Sequence, residues 1–381
     1  MFGFAPFAIK KSTFEKCWWN VFYSSIVAVF LNASSLYYLL TFVNDDSNLV
    51  DRFIEYLDYY SGQVVLMCGN LCCCISINQI LDIFKTLHKF DKHIERMFKI
   101  NLKNEYKKVR NYTTFGTVAV LVLAISVCIL SGLSTEASRN VSLSKITCLI
   151  VPPFVNTLIS SQICAICFNL KIRFSWLNNK IETTFMTHHI IPSVGKNLSI
   201  YRLIQLRRAH LKLCLITKKV NKAFALQFSA VITYHYASMV TLIIYVGRHT
   251  VLDDELIVKY VVFVFIQLCS SVGQFVFLVF ICSSTSDQAA KTGSIIHMIL
   301  YTKKRQLNSR INLEVGISSI AKNYITDLQI FFFSLQLLHQ PVEFSACRCI
   351  VINETLLFTI AGVITKFLII IVQFDVAFYS Q

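Results

Sequence analysis

The chain alternates between long uncharged runs and stretches dense in charge. Six runs contain no Asp, Glu, Lys or Arg: 17–44, 59–81, 111–135, 146–170, 223–247 and 260–286, each 23 to 28 residues long. A helix rises about 1.5 Å per residue, so each run covers the roughly 30 Å hydrocarbon core of a bilayer. Charge at mid-membrane is costly, which makes such runs the natural crossing segments. A seventh run, Thr355 to Phe374, carries a single charge, Lys366. The run Leu328 to Val342 has only 15 residues and holds His339 and Pro341. It reads as a short membrane-adjacent helix packed on protein, ahead of the seventh span. The pattern predicts an all-α integral membrane protein, a single domain over 1–381 with seven transmembrane helices. Their spans are about 20–43, 60–81, 112–134, 147–170, 224–247, 260–283 and 355–374.

Basic residues set the orientation, because Lys and Arg stay in the cytosol. Of the 36 Lys and Arg residues, thirty fall in the segments before residue 17, in 82–110, in 171–222 and in 287–354. The opposite side has five: Arg52, Arg139, Lys145, Arg248 and Lys259. This predicts a cytoplasmic N-terminus and an extracellular C-terminus. The outer loops are short and acidic, with Asp45, Asp46, Asp51, Glu55 and Asp58 in the first and Asp253, Asp254 and Glu255 in the third. Asn140-Val-Ser is a glycosylation sequon on the second outer loop. The sequons at Asn111, Asn197 and Asn353 fall on the inner side or its edge.

The inner loops read as helical extensions of the spans. In 198–222, Ile204, Leu211 and Leu215 share one helical face, which predicts a cytoplasmic helix running straight into the fifth span. Pro192 and Gly195 mark a break before it, and 82–110 extends the second and third spans. Together 171–222 and 287–354 form a cytoplasmic helical region.

Composition narrows the class. The chain is 55% hydrophobic and 15% charged, against about 25% charged in soluble domains. The net charge of +15 is spread over blocks between spans, which reads as cytosolic loops and not as a nucleic-acid surface. In MFGFAPFAIKK the charges follow the apolar residues, so no signal peptide is expected and the first span serves as an uncleaved anchor. Most of the 14 cysteines lie in spans, among them Cys72, Cys73, Cys74, Cys128, Cys269 and Cys282. No disulfide framework is expected, and Cys164 and Cys167 read as packing residues. His188 and His189 point to different helix faces, which predicts no metal site, and no cofactor motif is present. Phosphate-loop, HExxH and Gly-x-Ser-x-Gly motifs are absent from the sequence. The in-span polar residues Asn70, Asn156, His235, Gln267 and Gln274 form no catalytic set, so no enzyme is expected. A G-protein-coupled receptor would have its N-terminus outside, an Asp-Arg-Tyr after the third span and an Asn-Pro-x-x-Tyr in the seventh; this chain has neither motif.

The last forty residues of this pattern carry a family likeness. Leu368 to Val372 are five apolar residues followed by Gln373-Phe374, and SLQLLHQPVEFSAC spans Ser334 to Cys347 upstream. This stretch resembles the C-terminal signature of insect gustatory receptors. Two positions depart from the signature: Lys366 stands where the family has Thr and Phe367 where it has Tyr. The resemblance implies a tastant-gated, non-selective cation channel in the plasma membrane of a sensory neuron, reaching dendrite, axon and cell body. It implies four identical or related subunits around one pore lined by the last helix, with lipid outside. Phe367, Gln373 and Phe374 are the motif positions, and Gln373, Phe374, Ile370 and Lys366 are the implied pore and gate residues. A Phe ring gates by dewetting and a Gln ring offers hydrogen bonds to hydrated ions. Physics alone favours a polar-aromatic interface belt at a helix end, and the family resemblance reverses that preference.

Lys366 precedes Gln373 by seven residues, within about 20° on the helix wheel, so the two share a face. Asn156, Tyr236, Tyr245 and Gln267 have the depth for a ligand pocket in the outer halves of the spans, with ordinary interhelical contacts as the alternative. His235 is ionisable in a span and so a functional candidate, paired and neutral. Sugar-sensing members tend to carry an acidic residue where Leu368 stands, which favours a non-sugar tastant, bitter or other. The alternatives are an inverted seven-span subunit without its own pore, or a membrane transporter.

Overall fold

In a computed structural model, the structure describes residues 7–10, 13–16, 49–98, 143–190, 196–249, 255–310 and 317–379, with isolated positions within 19–37 and 107–122. The first and third predicted spans, 20–43 and 112–134, lie mostly outside the described residues. The positions described there are helical, and large apolar ones such as Phe22, Phe30, Phe115 and Val122 are exposed.

The elements run in order β1 (Phe7–Lys10), β2 (Thr13–Lys16), α1 (Leu49–Ile75), α2 (Ile77–Phe98), α3 (Leu143–Ile190), α4 (Lys196–His249), α5 (Glu255–Arg310), α6 (Ile317–His339), β3 (Ser345–Ala346), β4 (Ile350–Val351) and α7 (Glu354–Tyr379). The nearly all-helical expectation is met, with two small exceptions. β1 pairs antiparallel with β2, and β3 with β4. Strands this short lie below the reach of periodicity. The β3–β4 turn has Cys347 at φ 50° and Arg348 at φ 62°, and the Cys349 N–H donates to the Ala346 carbonyl at 3.0 Å. Positive φ at both central positions suits the twist of a hairpin, but Asn and Gly are its usual occupants. Cys and Arg give no such cue.

The stretch expected as the first outer loop is partly helical. Helix α1 begins at Leu49, eleven residues before the predicted start, so Asp51, Glu55 and Asp58 are helical and not loop. Carboxylates near a helix N-terminus meet its unpaired N–H groups and positive dipole end, which favours helix there. Ser76 then bends the path between α1 and α2. The helical bonding continues through the bend, with Ser76 N–H to Cys72 O at 2.9 Å and Ile80 N–H to Ser76 O at 2.8 Å.

Three helices are far longer than a bilayer needs: α3 has 48 residues, α4 has 54 and α5 has 56. At about 1.5 Å per residue they are about 70 to 85 Å long, so each runs about 40 Å or more past a 30 Å hydrocarbon core. Among the described residues, Pro152–Thr184, Tyr201–Ile244 and Val264–Thr302 are long and apolar enough to contain a crossing. α3 ends at Ile190 and α4 starts at Lys196, on either side of Pro192 and Gly195. The helix running into the fifth span is therefore continuous, as its apolar face predicted.

Packing divides into two cores. The first lies at membrane level and joins Val65 and Leu66 of α1, Ile159 and Ile163 of α3, Phe228 and Val231 of α4, Leu278 and Val279 of α5, and Leu356 and Ile364 of α7. Gly62 lets α1 approach α3: a Cβ there would sit 2.7 Å from Pro152 Cβ. The second core joins the extensions, with Phe90 and Ile94 of α2, Phe174 and Leu177 of α3, Leu206 and Leu213 of α4, and Ile296 of α5. Ile330 and Phe333 of α6 are wholly buried in it. The apolar run lies in a longer helix of 23 residues that ends at His339 and packs Ile330 and Phe333 on the core, while Leu328, Phe331, Phe332 and Leu338 are exposed.

A buried ion pair ties the second core together. Arg173 Nε and Nη2 donate to the two carboxylate oxygens of Asp91 at 3.0 and 2.7 Å. Both side chains are nearly nine-tenths buried. His210 sits between Phe174 and Phe333, with ring centroids 5.6 and 5.7 Å away, and so connects α3, α4 and α6.

Candidate functional site

Polar residues meet inside the membrane-level core where α3, α4 and α5 face one another. Asn156, 1% exposed, lies 3.1 Å through Nδ2 from His235 Nε2. His235 Nδ1 lies 3.0 Å from Ser271 Oγ. An amide NH2 can only donate, so Nε2 accepts and Nδ1–H donates to Ser271. That pattern assigns a neutral imidazole, since a doubly protonated ring would face a donor with a donor. Beside it, Thr157 Oγ1 donates to Gln274 Oε1 at 3.0 Å, and Gln274 Nε2 donates to Ser270 Oγ at 3.2 Å.

Among the described residues, the buried Asn156 Oδ1 and Ser160 Oγ have no hydrogen-bond partner. An unpaired buried acceptor or hydroxyl loses about 1–3 kcal/mol of hydration with nothing in return. One hydrogen-bond donor from a bound molecule would satisfy Asn156 Oδ1.

Of the residues chosen for depth whose side chains are described, Asn156, Tyr236 and Gln267, the structure brings only Asn156 into this network. Tyr236 is half-buried and packs on the apolar core. Gln267 is half-buried and outside the network, whose amide is that of Gln274 instead, seven residues on. The Tyr245 side chain lies outside the described residues, as does Asn140. Ser271, Thr157 and Ser270 were missed. Their signal is weak, because a serine or threonine in a span usually bonds its own helix.

The last helix is built differently. Asn353 precedes it and caps it: its carbonyl accepts from the Leu356 N–H at 3.0 Å, and its Oδ1 accepts from Thr355 Oγ1 at 2.6 Å. One face packs on the core through Leu356, Ile364, Phe367 and Leu368. The other is open, with Lys366, Ile370 and Gln373 all exposed. The Phe374 side chain lies outside the described residues.

The open face carries a regular stripe. Thr355, Thr359, Gly362, Lys366, Ile369 and Gln373 recur at alternating spacings of four and three, and all six are exposed. That spacing places all six on one face of the helix. Among the described residues, no carboxylate pairs with Lys366. An ammonium facing hydrocarbon costs about 3 kcal/mol, so this face suits water or a neighbouring polar helix better than lipid. The described residues include no cluster of three His, Cys, Asp or Glu placed to hold a metal ion.

Residues 1–378 match the family of seven-transmembrane (7tm) chemosensory receptors. The chain belongs to that family. It is a family of membrane receptors, not of enzymes. The relatives are insect gustatory receptors, as the C-terminal signature indicated. The chain is 30% identical to gustatory receptor 2a of Drosophila melanogaster over 105 residues, 28% of this chain and 24% of that one. It is 27% identical to gustatory receptor 28b over 176 residues, 43% of this chain and 32% of the relative. With gustatory receptor 28a the identity is 24% over 273 residues, 69% of this chain and 56% of the relative. The matched parts thus span between about a quarter and just over half of these relatives' lengths.

Proposed function

We propose that this chemosensory receptor is a tastant-gated cation channel subunit. It crosses the plasma membrane seven times, with its N-terminus in the cytosol and its C-terminus outside. Four subunits, identical or related, surround a pore lined by α7. The observation that carries this reading is the exposed seam from Thr355 to Gln373. A polar stripe holding an uncompensated lysine needs an aqueous or polar surround, and a fourfold ring of such helices supplies one. Gln373 and Phe374 then form the outer constriction, and the Asn156–His235–Ser271 network reads the ligand. Lipid contacts the exposed apolar residues of α5 such as Phe265, Phe277 and Phe280. The tastant is a small organic molecule. Leu368 packs on the core where sugar-sensing relatives carry an acid, so a non-sugar ligand, bitter or other, is favoured. The protein acts in sensory neurons.

Lys366 favours a second arrangement of the same subunit. Four ammonium groups in one ring repel cations, and a mixed tetramer dilutes that charge. The test is electrical recording from cells expressing the chain alone, with a tastant panel and G-protein signalling blocked. Ligand-evoked current supports the homomeric pore, and current only on co-expression of a relative supports the mixed one. Lys366→Thr should raise cation current. Cysteine placed at Thr359 or Lys366 should make current sensitive to a charged thiol reagent, while cysteine at Leu368 should not. Current indifferent to reagent at both seam positions would refute a pore lined by this face.

A further inference from the structure

A cavity of about 430 Å³ lies away from the polar network, between the extension of α5, the end of α6 and the segment leading into α7. Cavities of a few hundred cubic ångströms enclose small organic ligands. Its charged lining is Asp287 and Glu343, with no Lys or Arg among the lining residues. Neither carboxylate has an ion-pair or hydrogen-bond partner among the described residues.

An independent feature points to an occupant. Ser283 and Ser334 also line the cavity and are only 9% and 8% exposed. Neither hydroxyl has a hydrogen-bond partner among the described residues, although most buried polar groups are paired. The rest of the wall mixes apolar residues such as Leu337 and Phe344 with the polar His210, Ser286, His297 and Gln340. No three metal-ligating side chains converge among the described residues, so the lining does not suit a bare metal ion.

We propose that this cavity binds an organic monocation, a primary ammonium on an apolar body. The three N–H donors of the ammonium meet the carboxylates of Asp287 and Glu343 and a serine hydroxyl oxygen. The apolar body lies against Leu337 and Phe344. Ile352 and Asn353 complete the wall, and Asn353 caps α7, so an occupant presses on the start of that helix. The binding claim stands on the cavity alone. Its effect on gating rests on the channel reading above.

The test uses the purified full-length receptor in lipid nanodiscs and two probes of matched shape, 2-phenylethylammonium and the uncharged 2-phenylethanol. Calorimetry should show saturable binding of the ammonium, at least tenfold tighter than the alcohol. D287N/E343Q should weaken ammonium binding at least tenfold. A Cβ at Gly293 meets nothing within 4 Å, and Gly293 lines the cavity, so G293L should fill the space and abolish binding. Comparable binding of alcohol and ammonium, or wild-type affinity in D287N/E343Q, would overturn the proposal, as would the absence of saturable ammonium binding. If G293L does not fold, the two exposed-carboxylate substitutions still decide. None of these readings requires current, so a receptor that binds the ammonium yet never conducts supports this site while refuting the channel.

Discussion

The two cores of this receptor solve opposite problems with the same helices. Along α5 the exposed positions at membrane level are apolar, as at Phe265, Val272, Phe277 and Phe280, while in the extension they include Asp287, Lys291, Ser294 and His297. Inside, the order reverses in part. The membrane-level core holds Asn156, His235 and Ser271, with hydrogen bonds across three helices. The extension core is mostly apolar inside, and among the described residues it is fastened by the buried Asp91–Arg173 pair, by Thr292 Oγ1 donating to Asn178 Oδ1 at 2.6 Å, and by His210. A bilayer gives no hydrophobic drive between helices, so association there relies on close packing and polar contacts. Beyond the bilayer the hydrophobic effect returns, and burial of Phe174, Phe333 and Ile330 can hold the bundle together.

The sharpest way to break this comparison is at the ion pair. Asp91→Ala removes the carboxylate that neutralises the buried Arg173 and should destabilise the extension core by about 3–5 kcal/mol. Thermal unfolding in detergent checks this, and Asp91→Leu with Arg173→Leu together should recover much of the loss. Equal effects from the single and double changes would show that the charge is not the cause.

Acid should act on the same core through His210, which lies well beyond the 224–247 crossing. Burial lowers its pKa from 6.5 to about 4. Below about pH 6.5 the unfolded chain takes up a proton that the folded chain refuses. Stability is therefore lost as pH falls from 6.5 toward 4, by about 3 kcal/mol in total. His210→Phe, in contact with Phe174 and Phe333, should remove this part of the pH dependence. An unchanged pH profile in that variant would place the titration elsewhere.

At membrane level a steric effect is expected. Gly62→Ala puts a methyl 2.7 Å from the rigid Pro152 ring and should cost about 1–3 kcal/mol. Gly69→Ala meets only the flexible Cδ1 end of Ile159, also at 2.7 Å, and should cost less. Melting temperatures of the two variants test that ranking.

His235→Leu should cost about 1–3 kcal/mol for each of the buried Asn156 Nδ2 and Ser271 Oγ groups it leaves unpaired, as melting temperature would show. Its effect on ligand response should be larger, because it frees Asn156 Nδ2 and Ser271 as well. Equal loss of stability and of ligand sensitivity would make the network structural only.

Depth was legible in the sequence and azimuth was not. Uncharged runs fix where a helix meets hydrocarbon, so Asn156 and Gln267 were both placed at a usable level. Which of them faces a neighbour depends on helix rotation and crossing, and these brought Ser271 and Gln274 into the network in place of Gln267. The seam of α7 was readable in part, since Lys366 and Gln373 are seven residues apart. Its continuation through Gly362, Thr359 and Thr355 emerged once the packed face was known. The bend at Ser76 left no trace in composition, because its helical hydrogen bonds persist on both sides.

The amino-acid order by itself determined the helical class and the long extensions of α4 and α5. Those follow from local quantities: run length, charge placement and the positions of proline and glycine. Only the tertiary structure decided that Asp91 and Arg173, 82 positions apart, share a buried bond, and that two serines and two carboxylates border one cavity. Such meetings depend on how whole helices turn against each other, and no local pattern along the chain encodes that rotation.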